Sequence, residues 1–105
     1  ASSLERKLPQ MKREDKAAGY TLAADIQLQL GKMEQGVAYL RQAIQLAPDR
    51  VEWRVRLVET LIAMHDWEAA EKELRLVELL QPDDRRISGL KTRISVGSGR
   101  GYESL

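Results

Sequence analysis

The sequence predicts an all-α chain, a solenoid of antiparallel helix pairs with about five helices in all. Three observations predict it. The chain matches itself at one fixed offset, that from Pro48 to Pro82: Glu34 with Glu68, Leu40 with Leu74, Arg41 with Arg75, Leu46 with Leu80, Asp49 with Asp83. Within each unit the apolar residues recur at spacings of three and four, which is the period of one helical face. Turn formers and prolines punctuate the stretches between these faces.

The elements follow in order. Residues 1–16 form an N-terminal extension, partly helical, in which Ser2 and Glu5 have the spacing of a capping box and Leu4 and Leu8 suit a short extra turn. Pro9 suits the first turn of a long helix from about 10 to 30, ended by Gly31. A second helix covers about 33–46 and stops before Pro48. Asp49, with Glu52 three residues on, caps a third helix over about 51–64, whose stripe is Trp53, Leu57, Val58, Leu61 and Ile62. Asp66 caps a fourth over about 67–80, with Trp67, Ala70, Leu74, Val77 and Leu80 on one side and Pro82 beyond its end. Trp67, at the repeat position of Met33, reads as core.

The boundaries are therefore 17–50 for the first repeat and 51–84 for the second. A capping helix at 85–96 follows, with Asp83 and Asp84 before it and Ile87, Leu90 and Ile94 as its apolar stripe. Residues 97–105 read as a flexible Gly/Ser-rich tail. Gly31 and His65 share one repeat position, after a first helix, where the chain must turn sharply. Gly adopts the left-handed conformation freely, and His is among the residues enriched there. This gives the lone His a structural role.

Composition removes most chemistry. A chain of 105 residues is one domain, and 43% hydrophobic against 31% charged excludes a disordered polyelectrolyte. No apolar run approaches the ~20 residues that cross a bilayer. Without Cys there are no disulfides, thiol nucleophiles or Cys-ligated zinc, and one His makes no His cluster. The core is aliphatic, since Phe is absent. Glu68, Glu71, Glu73 and Glu78 lie along one helix with Lys72 and Arg75 at ion-pairing spacing, which describes a solvated face rather than an acid/base pair. The reading is therefore no enzyme, no cofactor and no metal. Charge is uneven: residues 1–16 carry +2, residues 17–84 carry −5 and residues 85–105 carry +4. The cations sit at the ends rather than on one folded face, which disfavours nucleic acid as the partner.

The repeated helix–turn–helix unit, with small residues at the helix crossing and a closing Pro, resembles the tetratricopeptide repeat family. That family places an aromatic residue early, then Leu and a small residue, then Tyr, Ala, an aromatic or Leu, Ala and Pro. The first unit holds Tyr20, Ala23, Ala24, Gln27, Gly36, Leu40, Ala43 and Pro48 there. The second holds Arg54, Leu57, Val58, Leu61, Ala70, Leu74, Val77 and Pro82. Gln27, Arg54 and Val77 depart from the pattern.

The resemblance implies a right-handed solenoid whose first helices line a concave groove that binds a peptide or helix of a partner protein. Carried over, the groove residues are Leu22, Asp25, Val55, Arg56, Glu59, Ile62 and Arg93, while Gly31, Pro48, His65, Trp67, Ala70 and Pro82 hold the repeat together. Members that grip acidic chaperone tails place Lys and Asn where this chain has Thr21 and Asp25; Asp25 would repel a carboxylate. The expected role is a scaffold for a larger assembly, with self-association as the second reading and an RNA-binding helical repeat as the third. Nothing predicts membrane insertion, and the compartment is left between cytoplasm and periplasm.

Overall fold

The computed structural model describes residues 2–99, with side chains from residue 12 onward. Five helices carry the described residues: α1 (Ser2–Gln29), α2 (Met33–Leu46), α3 (Val51–Ala63), α4 (Trp67–Leu80) and α5 (Arg86–Ser98). The chain divides between Arg50 and Val51 into two compact units, one holding α1 and α2 and the other α3, α4 and α5.

Unit 1 is a helix hairpin. The helix expected to open at Pro9 starts at Ser2 instead and runs through the proline. Leu4–Leu8 and Gln10–Glu14 are all strong helix formers, and they outweigh the single backbone hydrogen bond that Pro9 cannot make. The capping box expected of Ser2 and Glu5, and the turn expected around Leu4 and Leu8, rest on side chains outside the described ones. Gln29 ends α1, and the Gly31 N–H donates to the Leu28 carbonyl (3.1 Å) while the Lys32 N–H reaches back to Gln27 (2.8 Å). Gly31 has φ +80°. The core of the hairpin is Ala17, Ala24, Leu40, Ala43 and Ile44. Gly36 is buried where the helices cross, and a Cβ there would stand 2.6 Å from Leu28 Cδ2, so any larger residue would have to push the Leu28 side chain aside.

Unit 2 repeats the hairpin and adds a helix. The N–H of His65 donates to Ile62 (2.9 Å) and that of Asp66 to Leu61 (2.9 Å), the same pair of bonds one repeat later. His65 has φ +62°, so both members of this repeat position are left-handed. Asp66 caps α4 by accepting the Ala69 N–H (3.4 Å). α3 packs against both α4 and α5. Two flanking helices widen its buried arc to Val55, Leu57, Val58, Thr60, Leu61 and Ile62. Ala70, Leu74 and Val77 of α4 and Ile87, Leu90 and Ile94 of α5 complete the core.

Three further local expectations change. Asp49 does not cap α3: the helix starts at Val51, so the cap position falls to Arg50, whose N–H closes a tight turn on Ala47 (3.2 Å). Trp67 is half-buried rather than core, with its ring stacked on His65 (centroids 5.3 Å apart, 13° between planes) and its far edge against Gly97. Any Cβ at Gly97 would strike that indole. Gly97 and Ser98 belong to α5 rather than to a tail, and Gly99 (φ +79°) closes the helix. Residues 100–105 of the expected tail lie outside the described residues.

The two hairpins solve one contact in two ways. In unit 1, Tyr20 and Tyr39 pack ring to ring, with centroids 6.2 Å apart. One repeat later, the same two positions hold Arg54 and Glu73, mostly buried and joined at 3.4 Å. An ion pair stands where the first repeat has an aromatic pair. Replacing one partner removes this ion pair while the other charge stays mostly buried. Arg54→Tyr alone or Glu73→Tyr alone is therefore expected to lower stability by roughly 3 kcal/mol. The double variant, which installs the pair of unit 1, is expected close to the parent, and urea unfolding of all four chains measures the coupling.

The turn makes a second prediction. Gly31→Val places a β-branched residue at positive φ and should destabilise by about 1–2 kcal/mol, whereas His65→Gly should be near neutral. Thermal melts followed by circular dichroism distinguish the two.

Candidate protein-binding surface

The repeat register decides which side chains share a face in unit 2. Glu52 and Arg86 stand one repeat apart, as do Glu59 and Arg93, so each pair holds one repeat position on the first helices α3 and α5. Within each helix, nearly two turns separate the members of the two pairs.

The first pair is closed. The Arg86 guanidinium donates through Nη1 to Glu52 Oε2 (2.7 Å) and through Nη2 to Glu52 Oε1 (2.9 Å), a two-pronged contact. On its other side Nε donates to Asp84 Oδ1 (3.0 Å) and Nη2 to Asp84 Oδ2 (2.7 Å). Asp84 Oδ1 also accepts the backbone N–H of Arg86 (2.9 Å), so it anchors the start of α5. These hydrogen bonds hold the Asp84 carboxyl down at about 2. The Arg86 side chain likewise lowers Glu52 below the ordinary glutamate value. Arg86 is itself raised by the two carboxylates.

The second pair is open. Glu59 and Arg93 are both exposed, as is Arg56 beside Glu59. Beneath them lies a packed floor. Val55 and Ile62, expected as apolar contacts for a partner, are only 2% and 6% exposed. That expectation is corrected by the two-sided packing of α3, which makes both side chains core. The Thr60 hydroxyl, also buried, donates to the Arg56 carbonyl (2.9 Å).

In unit 1, Leu22 is 62% exposed and Asp25, at the repeat position of Glu59 and Arg93, is half-buried. Among the residues expected to hold the repeat together, Ala70 is fully buried and Pro48, Gly31, His65 and Pro82 lie in exposed turns. Glu52 and Arg86 were both open to a place on the first-helix surface, but the contact between them was not foreseen. The available signal was opposite charge at one repeat position. A cleft of about 240 Å³ between α4 and α5, lined by Glu71, Leu74, Arg75 and Ile94 and bridged by Lys91 to Glu78 (2.5 Å), was also not foreseen.

Among the described residues no group of three or more His, Asp or Glu is placed to hold a metal ion, and no helix is long and apolar enough to cross a membrane. The tetratricopeptide repeat family model matches residues 27–94.

The chain belongs to the tetratricopeptide repeat family.

No curated protein and no solved structure matches the chain significantly. Tetratricopeptide repeats generally mediate protein–protein interaction, and members are typically non-catalytic scaffolds. The common repeat register, the left-handed turns at Gly31 and His65 and the helix pairs of both units are what this family would be expected to show.

The Arg86 cluster gives a pH prediction. The Asp84 carboxyl titrates at about 2 in the folded chain against an ordinary 3.8, so its contribution is complete above about pH 4 and is lost as pH falls toward 2. Glu52 acts in the same direction. Much of the cluster is in contact with water, which limits its worth. Arg86→Gln should lower stability at pH 7, and the difference from the parent should shrink steadily below pH 4, as read by urea unfolding at each pH.

Proposed function

We propose that unit 2 is a docking platform for a segment of a partner protein, laid across α3 and α5 and oriented by Glu59 and Arg93. The observation that carries this reading is one repeat position occupied by exposed opposite charges on two packed first helices, above a floor that is already filled. A pre-packed floor needs no rearrangement on binding, which limits the entropy lost. The charges give direction: the segment presents a cation to Glu59 and an anion to Arg93. Val55 and Ile62 support the platform from below, and Arg56 flanks it. Asp25 repeats the acidic position in unit 1, with Leu22 beside it. The chain acts by holding its partner, and no step of chemistry is assigned to it.

Self-association is the second reading. It is favoured by Leu79, 80% exposed on α4, with Leu76 and Leu80 beside it. The RNA reading is weakened by Arg86, whose guanidinium is engaged by two carboxylates.

Photo-crosslinking residues placed at 59 and 93 are expected to capture one partner that residues at 68 and 72 do not. The captured partner, purified and titrated calorimetrically, should bind Arg93→Glu about tenfold more weakly than the parent. Equal capture at all four positions, with unchanged affinity for Arg93→Glu and Glu59→Lys, would overturn the assignment.

A further inference from the structure

Unit 2 is built from helices of unequal strength. α4 consists largely of Ala, Glu, Lys, Leu and Arg, which are strong helix formers. The interior of α5 holds Ser88, Gly89, Thr92, Ser95 and Gly97, whereas α3 and α4 contain no glycine. Gly97 is required by the Trp67 indole beside it. Gly89 is not required by packing or by the backbone: it is exposed, its φ is not positive, and a Cβ there would meet nothing within 4 Å. An exposed glycine inside a helix weakens it relative to alanine, because the chain gives up more freedom there on folding. α5 is therefore helical through its contacts rather than through its composition.

Those contacts are limited. α5 gives Ile87, Leu90 and Ile94 to the core and packs mainly on α4. Its ion pairs lie at the surface: Arg86 with Glu52 and Asp84, and Lys91 with Glu78. Each has at least one exposed partner, so water competes for it. The α3–α4 hairpin has internal ties of its own. It turns at His65, is capped by Asp66, holds the Arg54–Glu73 pair, and buries Leu57, Val58, Ala70 and Val77. Unit 1 is a hairpin of the same kind.

We propose that α5 is a latch, docking and undocking as one unit while the α3–α4 hairpin stays folded. Segments with little buried area and weak local propensity open at a lower free energy than the rest of a chain. Docked, α5 puts Arg93 on the face that holds Glu59 and closes over the Val55 and Ile62 side of α3. Undocked, it takes Arg93 away and uncovers that side. The chain thus carries an order–disorder element that decides which of two surfaces it presents, one charged and one apolar. The consequence for a partner rests on the platform reading above, whereas the opening of α5 does not.

The test is amide hydrogen exchange of the full chain, read residue by residue by NMR at increasing low urea. The amides of Leu90, Lys91 and Ile94 should open together, with protection at least about tenfold lower than that of Leu57, Leu61, Leu74 and Val77. Their urea dependence should also be smaller, since less surface is uncovered. Gly89→Ala should raise the α5 protection about fivefold, and Arg86→Gln should lower it. Asp66→Ala, which removes the cap of α4, separates the two events. It should lower protection of the hairpin amides about fivefold and leave α5 unchanged, because the hairpin is not opened when α5 leaves. One common protection for both groups would overturn the proposal. So would Asp66→Ala acting on both groups alike, or Gly89→Ala leaving α5 unmoved. Loss of the chain's helical circular dichroism in Arg86→Gln would make α5 integral to the core and overturn it as well. The exchange is measured on the free chain, so its result and that of the crosslinks at 59 and 93 are independent.

Discussion

Each hairpin depends on one backbone position that must turn left-handed. Gly31 and His65 hold it between paired helices, and Gly99 holds it after α5, all with φ between +62° and +80°. A left-handed residue ends the i→i−4 ladder and sends the chain back along the helix it has just left. Because the three positions are evenly spaced, one repeat apart, much of the apolar core of one unit has a counterpart in the other at a fixed offset. Leu40 and Leu74, and Ala43 and Val77, are buried for that reason, and Gly36 and Ala70 are small for the same reason.

The register orders the surface as well as the packing. A first helix followed one repeat later by another first helix brings equivalent positions onto a common face, as α3 and α5 show with Glu52 and Arg86. Variation between repeats then becomes variation along that face. At one position the charges neutralise each other and tie α5 down; at the next, Glu59 and Arg93 stay exposed. Inside the hairpins the same freedom is used differently. The Tyr20–Tyr39 contact of one unit is replaced by Arg54–Glu73 in the other, and the two substitutions make sense only together. Arg54, which departs from the family pattern when read alone, is explained by its partner.

Much of the fold was legible in the sequence, and the reasons are physical. α2 and α4 run from the residues expected to the residues expected, because a turn-forming segment precedes each and a proline follows. The paired left-handed turns followed from residue type at one position. What was not legible depended on neighbours. Pro9 reads as a helix start, yet two strongly helical flanks carry the helix through it. Asp49 has the spacing of a cap, but the tight turn from Ala47 to Arg50 places it one residue too early. Val55 and Ile62 lie beside the core stripe of α3, and one-helix periodicity does not show that α5 closes over that side too. Of the candidate surface, the exposed charges Arg56, Glu59 and Arg93 could be named from repeat position. The burial of its floor required the third helix.

The most direct test of the account is a nuclear Overhauser map of the side-chain contacts within the two hairpins. The account predicts one pattern displaced by a single repeat length. Tyr20 should contact Tyr39 as Arg54 contacts Glu73, and Leu28 should lie on Gly36 as Ile62 lies on Ala70. A second hairpin whose contacts are shifted by one or more residues from those of the first would contradict it, because no common register would then connect the left-handed turns to the α3–α5 surface.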